Sequence, residues 1–146
     1  MSAHHISLRA KSDILTVTAF VGSLADVATE KRAALDGAIE SLAKLRPRVD
    51  RLVRLRAELV GSLSVAERDR ADEAIDIILD RLDDARIEVC KCMKACRQAM
   101  SYAERFARFA ARAMAGDVEA DTLETAAAAI AAGCAGLISV NAKRAA

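Results

Sequence analysis

No tryptophan occurs among these 146 residues, and there are one proline, one tyrosine, three phenylalanines and two histidines. One proline and six glycines leave little material for the turns of a sheet protein, so helix is the expected class. Four scattered aromatics, Phe20, Tyr102, Phe106 and Phe109, do not make the stacking platforms of single-strand nucleic-acid binders. The histidines, His4 and His5, sit side by side in the N-terminal leader. Di-iron carboxylate bundles, zinc proteases and histidine-activated nucleophiles therefore lack their essential residue on any helix. A glycine-rich phosphate loop is also missing. Net charge is +1, from 22 basic and 21 acidic residues, so no overall field recruits nucleic acid or an anionic membrane.

Hydrophobic residues make up 53% of the chain, ample for one domain with a core. The apolar run Ile14 to Ala25 follows Arg9 and Lys11 and ends in Ser-Leu-Ala, as a signal peptide does. Thr16 and Thr18 dilute it, Asp13 precedes it, and it is shorter than a bilayer span. Cys90, Cys92, Cys96 and Cys134 form no spaced disulfide framework. A cytoplasmic protein with free thiols is expected.

Periodicity carries the fold. Steps of seven from Ile14 give Val21, Ala28, Leu35, Leu42, Val49, Arg56 and Leu63, beside Val17, Leu24, Lys31, Ala38, Leu45, Leu52 and Leu59. A second register runs Ile75, Leu82, Val89, Cys96, Ala103 and Ala110, beside Ala71, Ile78, Ala85, Cys92, Ala99, Phe106 and Ala113. Gly61 suits a left-handed helix end, and Ser64 with Glu67 makes a capping box, which puts a hairpin turn at residues 61 to 64. Gly116 follows the second register. Asp121 with Glu124 opens a third helix, expected to end near Asn141. Pro47 calls for a kink or restart in the first register. The expectation is one all-α domain, an elongated, coiled-coil-like antiparallel hairpin with a shorter third helix. Its helices span about 8–45, 47–61, 64–115 and 120–141.

Folding about residues 63 and 64 sets opposite each other positions whose numbers sum to about 127. Arg54 then meets Glu73, Arg51 meets Asp76, Arg48 meets Asp80, Lys44 meets Asp83 and Asp84, Glu30 meets Arg97, and Asp36 meets Lys91. Exposed pairs are worth only ~0–1 kcal/mol each, so the pattern is expected to select register more than to stabilise. The basic run from Lys44 to Arg56 is balanced by the acidic stretch Glu67 to Glu88. Arg97, Arg105, Arg108 and Arg112 are less fully matched and are the better candidate of the two basic sets for an acidic partner.

A short third helix leaves the turn end of the hairpin thin and rich in apolar residues. Leu52, Val53, Leu59, Ile75, Ile78, Leu79 and Leu82 are the expected interface with a second copy or a helical partner protein. Phe106, Phe109 and Met114 are a candidate groove for a guest helix. Cys92, Cys96 and Cys134 have the soft donors that Cu(I) or Zn prefers, but they also fall where the heptads call for small apolar side chains. The expected function is a non-enzymatic interaction module, with no cofactor, no catalytic set and no membrane span. It would be an adaptor, a structural component or a secretion-type chaperone. A cytosolic soft-metal or thiol-redox protein is the alternative. In size and helical layout the chain resembles the small chaperones of flagellar and type III export, a likeness that no motif carries further.

Overall fold

The computed structural model describes residues 7–133, which form three helices: α1 (Leu8–Leu59), α2 (Val65–Met114) and α3 (Ala120–Ala131). Among the described residues there is no strand, and the two long helices with a shorter third make an all-α hairpin. The chain divides into two compact units, Met1–Glu30 with Arg97–Ala146, and Lys31–Cys96.

The first unit holds most of the buried side chains. Val17 and Phe106 are fully enclosed, and Ala110, Ala113, Leu123, Ala126 and Ala127 are buried. Small residues at those four alanine positions let helix axes approach closely. Phe106 is the hub of a ring cluster, with Phe20 and Tyr102 at centroid distances of 5.0 Å and Phe109 at 6.4 Å, all edge-to-face. That geometry sets the positive edge of one ring against the negative face of the next. Ile14, Val21, Val118 and Ile130 pack around the neighbouring cluster of Val17, Ala110, Ala113 and Leu123.

Gly116 ends α2 in the left-handed conformation, φ +80°. Its amide donates to the Ala113 carbonyl at 3.1 Å and the Asp117 amide donates to Arg112 at 2.9 Å, the reciprocal pair of a Schellman cap. The expected start of α3 at Asp121 with Glu124 is corrected. The Asp121 and Glu124 capping box does not form: Glu119 is the N-cap and makes no side-chain capping bond. Asp121 lies inside the first turn, and Glu124 is drawn away into an ion pair with Arg9 of α1. The helix as described ends at Ala131, and the end expected near Asn141 lies outside the described residues. Gly133 turns left-handed at φ +73° and its amide closes onto Ile130 at 3.1 Å.

In the second unit the apolar seam between α1 and α2 supplies the packing. Val49, Leu82 and Cys96 are buried, while Leu35, Leu42, Leu45, Leu52, Ile75, Ile78, Ala85 and Val89 are half-buried. Across both units every position of the four heptad series is buried or half-buried except Lys31 and Leu59. The turn is built differently from expectation at one residue. Gly61 keeps an ordinary negative φ, and the chain reverses through bonds from the Ser62 and Leu63 amides to the Leu59 carbonyl, at 2.9 and 3.2 Å. The Ser64 capping box forms in full. The Glu67 amide donates to Ser64 Oγ at 3.2 Å and the Ser64 amide donates to Glu67 Oε2 at 2.7 Å.

The break expected at Pro47 is also corrected, because α1 runs unbroken through it. Pro47 deprives the Ala43 carbonyl of its helical donor, and both residues are exposed, so water can serve that oxygen. The unbroken apolar phase on the opposite face, Leu42, Leu45, Val49 and Leu52, holds the helix straight enough to continue.

Register agrees with a sum near 127 in each unit: Phe20 meets Phe106 in the first, and Arg56 meets Asp72 in the second. None of the flanking ion pairs expected from the same arithmetic forms among the described residues. Lys44 pairs instead with Glu40 at 2.8 Å, and Arg86 with Asp83 at 3.2 Å, each within its own helix. Arg51, Arg54, Glu73, Asp76 and Asp80 lie at matching levels but on faces turned away from the seam, where all are exposed.

Arg56 occupies an inward heptad position and is half-buried. Asp72 accepts from its Nε at 2.5 Å and from its terminal nitrogen at 3.0 Å, a two-pronged contact. The Arg56 hydrogen bond holds the Asp72 carboxyl below its ordinary value of 3.8. A depressed folded-state pKa contributes stability above the ordinary value and loses it as pH falls through the depressed one. Urea titrations should therefore show Asp72→Asn less stable than the parent at neutral pH, with the gap closing well below pH 3.8. For the first unit, Phe106→Ala should cost about 3–5 kcal/mol by the same measurement, as expected for emptying a fully enclosed aromatic site.

Candidate functional site

The cysteines on α2 divide by depth. Cys90 is exposed, Cys92 is half-buried and Cys96 is buried. Cys92 donates its S–H to Glu88 at 3.5 Å. Partial burial first, then that hydrogen bond and the nearby carboxylate charge, push its thiol pKa up, opposed by Lys31 across the seam. A raised thiol pKa means less thiolate, the form that binds soft metals and attacks disulfides. Cys134, the third member of the expected set, lies outside the described residues, as do His4 and His5. Among the described residues no three His, Cys, Asp or Glu side chains converge as metal ligands would.

The guest-helix groove expected at Phe106, Phe109 and Met114 is divided by the packing. Phe106 has no exposed surface, Phe109 is half-buried and Met114 is 56% exposed. Phe106 is thus the floor of the core. The open depression in this unit lies beside Met114, about 540 Å³, and includes Ala10, Ile14, Val118 and Leu123 in its lining. Farther back along α2, Arg97, Gln98, Ser101, Tyr102 and Arg105 line a shallow notch. The other two members of the basic set are engaged locally, Arg108 with Glu104 at 3.8 Å and Arg112 with the Asp117 carbonyl at 3.5 Å.

The expected interface in the second unit separates into two groups. Leu82 is buried and Leu52, Ile75 and Ile78 are half-buried, so these four belong to the seam inside the chain. Val53, Leu59 and Leu79 are exposed at 46%, 47% and 37%. Exposed Ile39, Leu55, Val60, Val65, Ile77 and Ile87 accompany them. Two hollows interrupt this surface. One, about 490 Å³, lies along α1 between Ile39 and Asp50, and a smaller one near the turn includes Leu55, Leu59, Leu63 and Ala74. Sequence reasoning missed Asp72 as the partner of Arg56. A cation in an inward heptad position requires an anion beside it, and that was the available signal.

Near its N-terminus α1 contains an 18-residue stretch of mean hydropathy 1.2, enough by length and composition to cross a bilayer, of which 6% is buried. Helices of water-soluble bundles meet the same criterion. No protein-family model, curated protein or solved structure matches the chain.

Thiol depth gives a direct measurement. Brief alkylation of the folded protein followed by peptide mass mapping should label Cys90 first, Cys92 more slowly, and Cys96 only after denaturant is added. Equal labelling of all three in the folded state would contradict the packing described.

Proposed function

We propose that this chain is a non-enzymatic helical interaction module that self-associates through its second unit. Adaptors, small structural components and secretion-type chaperones belong to this class. One observation carries the proposal: of the residues Lys31–Cys96, only Val49, Leu82 and Cys96 are buried, whereas nine large aliphatic side chains are exposed. Apolar surface gains roughly 25 cal/mol for each Å² removed from water, and a two-helix seam has no third layer to cover its flanks. A partner's helices supply that layer, as they do in four-helix bundles assembled from hairpins. Free thiols at Cys90 and Cys92 suit the reducing cytoplasm.

The reading predicts a solution mass that depends on concentration. Sedimentation equilibrium of the full chain should shift from one chain mass toward twice that value as concentration rises, with the helical circular dichroism signal retained throughout. A single chain mass up to the limit of solubility would refute self-association.

A further inference from the structure

Between residues 39 and 60, α1 carries two strips with heptad spacing. The inner strip, Leu42, Leu45, Val49, Leu52 and Arg56, belongs to the seam with α2 and is buried or half-buried. The other repeats the same alternation of four and three on the neighbouring face: Ile39, Ala43, Arg46, Asp50, Val53 and Ala57. Val60 continues it just past the helix end. Every member is exposed, Ile39 and Val53 each at 46%. The hollow that includes Ile39, Ala43, Arg46, Pro47 and Asp50 runs along this strip.

The composition of the strip is that of a second seam. Large aliphatics alternate with alanines, and alanine permits close approach of a second helix. The polar interruption is one cation and one anion a helical turn apart, and neither Arg46 nor Asp50 has an ion-pair partner within 4 Å among the described residues. Read from its other end, the stretch Ile39 to Ala57 presents a small side chain where it had a large one and an anion where it had a cation. It is therefore complementary to itself when two copies run antiparallel. With Arg46 set against Asp50 of the other copy, Ile39 lies against Ala57 and Ala43 against Val53. Twofold symmetry makes the Arg46–Asp50 contact twice. A parallel alignment in register would set Arg46 on Arg46 and Asp50 on Asp50.

We propose that the α1 strip from Ile39 to Ala57 is the docking surface for a second copy of this chain. The two strips lie antiparallel, and reciprocal Arg46–Asp50 pairs select that direction. The proposal rests on the interaction reading above and specifies its partner and contact face.

Charge reversal tests it on the full-length protein. Arg46→Asp puts two carboxylates together at each symmetric contact, and Asp50→Arg puts two guanidiniums together, so each variant alone should self-associate about tenfold or more weakly than the parent. Mixed one to one, the two variants present only opposite charges to each other and should form the heterodimer, seen as recovered mass in sedimentation and as a mixed species in native mass spectrometry. The double variant should recover homodimers. Recovery on mixing also shows that each variant is folded. Variants that associate like the parent, or a mixture that remains monomeric while the parent dimerises, would overturn this interface and leave the self-association reading intact. A parent that stays monomeric at every concentration would overturn both.

Discussion

The whole fold depends on a phase relation: apolar side chains recur every three and four residues along α1 and along α2, and the chain reverses so that the two stripes meet. Each layer of that seam contributes a small burial, and no layer suffices alone. Where α3 and the ring cluster around Phe106 add a further layer, side chains become fully enclosed. Where nothing is added, between Lys31 and Cys96, the same seam leaves most of its members half-exposed. The difference between the two units is a difference in the number of layers, since the repeat itself is unchanged.

Heptad spacing made the architecture legible from the sequence. It correctly places Leu45 and Val49 inward despite the proline between them, and it identifies the Ser64 and Glu67 box that begins α2. Features that depend on one atom or one dihedral angle were not legible. Pro47 carries a local rule that predicts a break, but its exposure lets the seam override that rule. Gly61 has the setting of a helix-ending residue and Gly133 falls inside the expected span of the third helix, yet of the two only Gly133 turns left-handed. Composition alone does not distinguish a glycine used for its conformational freedom from one that is merely small.

The charges show a second limit. Matching levels along a hairpin is one-dimensional arithmetic, whereas an ion pair also requires that both side chains point the same way around their helices. Arg51 and Asp76 satisfy the first condition and fail the second. Arg56 and Asp72 meet both, because Arg56 sits at an inward position where its charge would otherwise be left without a partner. The residues of the expected interface divide by direction as well: Leu52, Ile75, Ile78 and Leu82 pack in the seam, whereas Val53, Leu59 and Leu79 are exposed. Phe106 was read as a groove wall when it is the most enclosed aromatic in the molecule.

Because each layer of the Lys31–Cys96 unit rests only on the layers above and below it, its length is modular in a way that a globular core is not. Inserting seven residues into α1 and seven into the facing stretch of α2 would restore every stripe to its own side and add about 10.5 Å of helix. An insertion in one helix alone would throw the two stripes out of step. Evolution can therefore adjust the span of this unit in paired seven-residue increments, as a ruler whose smallest division is set by the coiled repeat.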